Sequence, residues 1–206
     1  LYIHPDNPDF LINGNDGGLN ISYDGGNTWR FAENLPLGQF YHVRVDNQVP
    51  YNIYGGLQDN GSWIGPGYIW RQGGIRNSDW QEVYFGDGFD VEPVTEDGKV
   101  GYAMSQGGNL ALYDLNTGKT HNIRPVHPEG LKLRYNWNAA LAPDPFARDA
   151  VYYGSQFVHY SPDRGKTCKI ISPDLTTNDT SKQKQALSGG LTIDATDAEN
   201  HCTILA

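Results

Sequence analysis

Short runs that are apolar, or that alternate between apolar and polar residues, recur along most of the chain. Examples lie at 10–12, 41–45 and 101–104, and each is followed within a few residues by glycine, asparagine or aspartate. Runs of this length with turn-forming residues between them are typical of β-strands joined by tight turns. The pattern therefore predicts an all-β fold.

Two parts of the chain repeat one pattern. In each, an aspartate that follows proline precedes a Ser-x-Asp-x-Gly-x-Thr segment. The distance between the two aspartates is 18 residues from Asp6 to Asp24 and 19 residues from Asp144 to Asp163. Each copy contains four short runs divided by turn residues, and four antiparallel strands form one blade of a β-propeller. We therefore predict a blade at each copy.

The spacing of the two copies sets the expected number of blades. They begin 138 residues apart, at Ile3 and Leu141, which leaves room for two further blades of roughly 40–50 residues. We expect blades at about 1–36, 41–81, 89–125 and 137–175, with another beginning near 188. Because four blades cannot close a ring, residues 1–206 are predicted to be a β-propeller segment of about four four-stranded blades. The remaining blades of a larger propeller, of seven or more, would then be its partners.

Charge and composition exclude several classes of function. The 206 residues carry a formal net charge of −9, whereas nucleic-acid binders have a basic footprint. No run approaches the roughly 18 consecutive apolar residues that span a bilayer. The six histidines lack metal-ligand spacing, so neither a metal nor a cofactor is expected. Cys168 and Cys202 form either a single disulfide bridge or two buried thiols that act as small apolar groups.

The repeated segment carries a family resemblance. Ser22-Tyr23-Asp24-Gly25-Gly26-Asn27-Thr28-Trp29 resembles the Asp box, or BNR repeat, of sialidases, xyloglucan-cleaving endoglucanases and sortilin-type propellers. The sequences Gly-Gly-Leu-Gln-Asp-Asn-Gly-Ser-Trp at 55–63 and Gly-Gly-Leu-Thr at 189–192 resemble large secreted bacterial proteins with sortilin-like propellers, often labelled as glycosyl hydrolases. The resemblance implies a secreted or cell-envelope protein. It also implies a structural role at the outer rim for Asp24 and Asp163, and Cys168 replaces the tryptophan of the motif.

The most concentrated polar and aromatic cluster of the sequence lies in one glycine-flanked loop. Propeller ligand sites form where the innermost strands and their loops face the central channel. Aromatic faces beside amides and carboxylates suit a sugar ring or a peptide. The alternative is a tight loop with a packing tryptophan. A comparable cluster, Tyr-Asn-Trp-Asn at 135–138, opens the last full blade. We therefore predict a glycan, peptide or protein ligand, with contacts from Gln58, Asp59, Asn60 and Trp63 in the loop and from Trp137 and Asn138 in the second cluster.

A second hypothesis is glycoside hydrolysis by Asp16 and Asp87. The segment around Asp16 resembles the Asp-x-Gly-Gly segment of the xyloglucan-cleaving enzymes, and Gly86-Asp87-Gly88-Phe89 loosely resembles their Gly-Asp-x-x-Gly-Phe segment. Each of those segments carries one catalytic carboxylate, and such pairs stand roughly 6.5–9.5 Å apart in inverting enzymes. Those enzymes place the two acids in separate propellers, however, and Asp-Gly is a common turn dipeptide. We favour recognition over catalysis.

Overall fold

The computed structural model describes residues 1–15, 17–33, 35, 37–184 and 200–205. These residues form four four-stranded antiparallel sheets, which confirms the predicted all-β fold and the four blades. In each sheet the strands pair in chain order, so each is the meander of a propeller blade. Membership of a larger propeller stays a prediction, and the further strands expected after residue 188 lie largely outside the described residues.

The strands have the following bounds. Blade 1 contains β1 (Tyr2–His4), β2 (Asn7–Asn15), β3 (Gly18–Ser22) and β4 (Arg30–Phe31). Blade 2 contains β5 (Phe40–Val45), β6 (Asn52–Leu57), β7 (Ser62–Pro66) and β8 (Gln81–Tyr84). Blade 3 contains β9 (Gly88–Pro93), β10 (Val100–Ser105), β11 (Asn109–Asp114) and β12 (Lys119–Asn122). Blade 4 contains β13 (Leu141–Pro143), β14 (Val151–Gly154), β15 (Val158–Ser161) and β16 (Lys169–Ile170). Single-turn 3₁₀ helices occupy Asn77–Asp79 and Gln106–Gly108.

The chain divides into two compact units. Leu1–Gly38 forms the first and contains blade 1, while Gln39–Ala206 forms the second and contains blades 2, 3 and 4. In the second unit the first strands of blades 2 and 3, β5 and β9, pack against each other. The candidate site lies in this unit.

The core of the second unit is built from tyrosines and aliphatic residues that fill the spaces between blades. One buried cluster joins blades 2 and 3 and includes Tyr54, Val91 and Tyr113. Another joins blades 3 and 4 and includes Tyr102 and Tyr135. Burial raises the pKa of Tyr102 and of Tyr135 to about 12. Adjacent blades are therefore held together by large apolar surfaces, which fixes the positions of the turns at their ends.

The Ser-x-Asp segment of blade 1 forms a hydrogen-bonded hairpin between β3 and β4. The Ser22 hydroxyl accepts the backbone N–H of Gly26 at 2.9 Å. The Asp24 carboxylate accepts both the N–H and the hydroxyl of Thr28, at 2.9 and 2.6 Å. These bonds from Thr28 lower the pKa of Asp24, since they favour the charged carboxylate.

The corresponding segment of blade 4 forms the same hairpin. Ser161 accepts the N–H of Gly165 at 2.8 Å, and Asp163 accepts the N–H and hydroxyl of Thr167 at 2.8 and 2.7 Å. The two aspartates thus organise turns, as the repeated motif predicts. Both cysteines are free, with Cys168 exposed and Cys202 half-buried, so neither the disulfide bridge nor the pair of buried thiols is found. Cys168 is exposed because it immediately precedes β16, the outermost strand of its blade.

Candidate functional site

Asp87 joins three blades at one end of the second unit. It lies in the turn before β9 and is 8% exposed. Its Oδ1 accepts the backbone N–H of Asp59 from blade 2 at 2.7 Å, and its Oδ2 accepts the indole Nε1–H of Trp137 from the segment before β13 at 2.8 Å. The Asp87 N–H donates to Oε1 of Gln106 at 2.8 Å. Three residues that the sequence singles out separately, Asp59, Asp87 and Trp137, are therefore brought together.

An aromatic face lies next to these carboxylates. The pairing of β5 with β6 skips Tyr41, so this residue forms a bulge, and a bulge can redirect a side chain at a functional site. The Tyr41 ring stacks on Phe89 with 4.5 Å between ring centroids, and the residue remains 41% exposed. Burial and the negative charges of Asp87 and Asp59 raise the pKa of Tyr41. The phenol is thus within electrostatic reach of both carboxylates while much of the residue faces solvent.

Asn138 connects blade 4 to the innermost strand of blade 2. Its Nδ2 lies 2.9 Å from Nε2 of His42. With the amide donating, His42 carries its proton on Nδ1, which lies 3.6 Å from Oδ1 of Asp90. The Asn138 Oδ1 atom is buried and has no hydrogen-bond partner among the described residues. It is therefore an acceptor that a bound ligand or water could satisfy.

Charged residues alternate along the facing inner strands. Arg44 on β5 reaches Asp90 at 3.3 Å and Glu92 at 3.1 Å. Asp90 is buried, and burial raises the pKa of Glu92 despite the opposing charge of Arg44. Asp90 and Glu92 share one side of β9 because strand side chains alternate. Arg44 therefore bridges Asp90 and Glu92, and Asp90 also contacts His42, so β5 and β9 are joined by charged and polar side chains.

The predicted loop cluster has an exposed part and an internal part. Gln58, Asp59 and Asn60 are exposed in the turn between β6 and β7. The Asn60 side chain donates to the Gln58 carbonyl at 2.8 Å, and the indole N–H of Trp63 donates to the Asn60 carbonyl at 2.5 Å. Trp63 is half-buried. Its indole therefore supports the turn, while the three polar residues face solvent.

The proposed catalytic pair cannot be assembled from the described residues. Asp16 lies outside them. Asp87 lies in the second unit, and both of its carboxylate oxygens accept hydrogen bonds from the protein. These bonds give Asp87 a positioning role in this structure. Since a carboxylate has about four acceptor sites, the catalytic role of Asp16 and Asp87 stays a prediction.

Two glutamines that the sequence pattern did not single out hold the chain segments that lead into blades 3 and 4. Gln106 accepts the N–H of Asp87, and Gln156 accepts the N–H of Arg134 at 2.8 Å and donates to the carbonyl of Lys132 at 3.2 Å. Each glutamine follows the second strand of its blade and holds the segment before the first. We call these two arrangements the glutamine clasps. The signal was present in the sequence, because Gln58, Gln106 and Gln156 are 48 and 50 residues apart.

The sequence pattern also did not single out the polar and aromatic residues of the inner strands, which are Tyr41, His42, Arg44, Asp90 and Glu92. They come from two short strands in which polar and apolar residues alternate, at 40–45 and 88–93. Such alternation is a general feature of strands and does not reveal which strands face each other. The patterns His-x-Arg on one strand and Asp-x-Glu on the other are the sequence features that could have indicated these residues.

Comparisons with known proteins find likeness only at the level of structure. No family model and no curated protein matches the chain. A GH74 xyloglucanase from Xanthomonas campestris is 16% identical with a TM-score of 0.45, covering 95% of this chain and 33% of that chain. A GH74 enzyme from Niastella koreensis is 17% identical with a TM-score of 0.46, covering 96% of this chain and 33% of that chain.

A third solved structure is YCF48 bound to D1 peptide. It is 14% identical with a TM-score of 0.39, covering 79% of this chain and 50% of that chain. This chain thus spans about a third of the two GH74 enzymes and half of YCF48. Likeness at this level carries no argument about function. In the part of the chain that the structure describes, no helix is both long and apolar enough to cross a membrane.

Proposed function

We propose that this chain is part of an extracellular recognition propeller that binds a peptide, protein or glycan where the innermost strands of blades 2, 3 and 4 meet. The observation that carries the proposal is the pair of hydrogen bonds by which Asp87 holds Asp59 and Trp137. A buried carboxylate with two protein donors keeps these residues in place before any ligand arrives. Preorganisation of this kind lowers the entropic cost of binding.

The groups around Asp87 suit recognition. The exposed Tyr41 and half-buried Trp137 supply aromatic surface, and the exposed Gln58 and Asn60 supply amides. The buried Oδ1 of Asn138 adds an acceptor without a described partner. Aromatic area with a few oriented polar groups is the usual composition of a small ligand site. An extracellular or cell-envelope location is proposed on the resemblance of segments 22–29 and 55–63 to secreted propellers.

The proposal is tested by binding of the protein to a glycan array and to an immobilised peptide array. Tyr41→Ala and Gln58→Ala are expected to reduce binding at least tenfold. Tyr68→Ala is the matched control, since Tyr68 is also exposed but lies in the loop between β7 and β8. Equal binding by the three variants would overturn the proposed site.

The same preparation is assayed for release of reducing ends from any glycan that binds. No hydrolysis is expected. If the wild type hydrolyses a glycan, and Asp87→Asn and Asp16→Asn each abolish hydrolysis while both variants remain folded, the protein is a carboxylate-dependent glycoside hydrolase and the recognition proposal fails.

A further inference from the structure

The Asn138 amide meets His42 through one of its two polar atoms and leaves the other without a partner. Its Nδ2 lies 2.9 Å from Nε2 of His42, while its Oδ1 is buried and accepts no hydrogen bond from the described residues. A half turn of a side-chain amide exchanges its donor and its acceptor. Because a donor must face an acceptor, the proton on Nε2 of His42 decides which amide atom remains free.

A buried carboxylate fixes the proton of the neutral His42 ring. Nδ1 of His42 lies 3.6 Å from Oδ1 of Asp90, whose side chain is 2% exposed. The carboxylate repels a lone pair on Nδ1, so a neutral ring carries its proton there and keeps its lone pair on Nε2. The Asn138 amide must then donate through Nδ2, and its Oδ1 is left over as an acceptor.

Protonation of the His42 ring reverses this arrangement. The charged imidazole is a donor at both nitrogens, so its Nε2–H faces the Nδ2 donor of Asn138. A half turn of the amide brings Oδ1 to Nε2 and moves Nδ2 to the place that Oδ1 held. The acceptor that was free is then occupied, and a donor takes its place.

The groups around His42 act on its charge in opposite directions. Asp90 favours the charged ring, while Arg44 competes for the same Oδ1 atom at 3.3 Å and also reaches Glu92 at 3.1 Å. β6, the strand paired with β5, carries no charged side chain, and the segment before β13 contributes the uncharged Asn138. The His42 side chain is 27% exposed, so protons from solvent reach it.

We propose that His42 sets the hydrogen-bonding specificity of the recognition site by positioning the Asn138 amide. With His42 neutral, the site offers the Asn138 oxygen to a ligand hydroxyl or amide N–H, and with His42 protonated that acceptor is withdrawn. Asn138 directly follows Trp137, whose indole Asp87 holds at 2.8 Å. The role of His42 rests on the proposed function and adds its regulation, since a ligand that donates to Asn138 is held at neutral pH and released in mild acid.

The exchange can be measured without a ligand, by nuclear magnetic resonance of the full chain between about pH 8 and pH 5, the range in which histidine titrates. The His42 ring nitrogens and the Asn138 side-chain amide are expected to shift with one midpoint. His42→Gln should abolish the shift of the amide. His121→Gln is the matched control, because His121 is exposed on β12, the outermost strand of blade 3. An amide that does not shift while His42 titrates overturns the proposal, as does a ring that stays neutral throughout this range.

Asn138→Leu distinguishes positioning from packing. Leucine keeps the approximate size of the side chain but offers no acceptor to the protonated ring. The midpoint of the His42 titration should therefore fall by about half a pH unit or more. An unchanged midpoint would show that Asn138 does not accept from the charged ring, and the proposal would fail.

An uncharged ligand found on the arrays gives a second readout. Its affinity for the wild type should fall about tenfold between about pH 8 and pH 5, and its affinity for His42→Gln should stay constant. Constant affinity in the wild type, or the same pH dependence in the glutamine variant, overturns the assigned specificity. If no array ligand is found, the proposed function fails by itself, because the resonance titration needs no ligand and decides the exchange separately.

Discussion

The indole N–H of Trp137 donates to the Asp87 carboxylate at 2.8 Å, across 50 residues of sequence. The bond fastens the segment that enters blade 4 to the turn that enters blade 3. The second oxygen of the same carboxylate holds the loop of blade 2 through the N–H of Asp59. A single side chain thus fixes the relative positions of three blade ends.

Asp87→Ala is expected to destabilise the protein. The substitution leaves the Asp59 N–H and the Trp137 Nε1–H without their acceptor, and hydrogen bonds to charged groups contribute roughly 1.5–3 kcal/mol each. We expect the free energy of unfolding, measured by urea denaturation, to fall by about 3 kcal/mol or more. Glu129→Ala, at an exposed position, should change it little. If both variants unfold at the same urea concentration as the wild type, the three-blade junction contributes nothing to stability.

Trp137→Phe separates the hydrogen bond from the aromatic surface. Phenylalanine keeps an apolar ring but lacks the indole donor, so we expect a loss of about 2 kcal/mol in unfolding free energy and retention of most ligand binding. Trp137→Ala should reduce both stability and binding. Equal ligand binding by the phenylalanine and alanine variants, measured by titration calorimetry, would contradict a contact role for the ring.

His159 should make the protein sensitive to mild acid. The residue is 1% exposed, its Nε2 lies 2.7 Å from the Ser155 hydroxyl, and burial lowers its pKa from 6.5 to about 4. Between these values the unfolded chain binds a proton that the folded protein does not, so stability falls as pH falls. The contribution is fully present above pH 6.5, and about 3 kcal/mol of it is lost by pH 4.

His159→Gln removes this titration and should flatten the dependence of unfolding free energy on pH between 6.5 and 4.

Glu92 has the opposite effect on the pH dependence, because burial raises its pKa above the ordinary value of 4.5. Its stabilising contribution is present below that value and is lost as pH rises through the raised pKa. If the unfolding free energy of His159→Gln changes with pH between 6.5 and 4 as steeply as that of the wild type, His159 is not the titrating group.

Asp163→Asn should weaken the hairpin of blade 4 without changing ligand binding. The carboxylate accepts two bonds from Thr167, which lower the pKa of Asp163. Its contribution to stability is therefore present above its ordinary pKa of 3.8 and is lost as pH falls through the lowered value. Asp24→Asn is the matched variant in blade 1. Differential scanning calorimetry at pH 7 should show a lower melting temperature for each, and a binding defect in Asp163→Asn would contradict its structural role.

The blades could be predicted from the sequence because their signals are local. The Ser-x-Asp hairpins are closed by bonds that span only four residues, such as Thr28 to Asp24 and Thr167 to Asp163. Turn chemistry of this kind depends on residue type and spacing rather than on distant packing. The number of strands per blade follows from the same pattern.

The site could be predicted only as separate pieces. Asp59, Asp87 and Trp137 each stood out, but the bonds that join them span 28 and 50 residues and depend on how the blades pack. The role of Trp63 could not be predicted either, because the hydrogen bond from its indole N–H to the Asn60 carbonyl depends on the shape of one turn. In that turn Asp59 adopts a φ of 57°, a left-handed conformation uncommon outside glycine.

The glutamine clasps distinguish the turns of blades 3 and 4, which are fixed through a glutamine side chain, from the turn of blade 2, which is fixed through its backbone. In blades 3 and 4 a change in the length of the turn after the second strand would pull Gln106 or Gln156 away from the chain segment it holds. In blade 2 the corresponding Gln58 is exposed, and the turn is held instead through the backbone N–H of Asp59. Every residue except proline carries that N–H, so the side chains of this turn can change while its length cannot. New ligand specificities would therefore arise in blade 2 by substitution, on a scaffold that blades 3 and 4 keep constant.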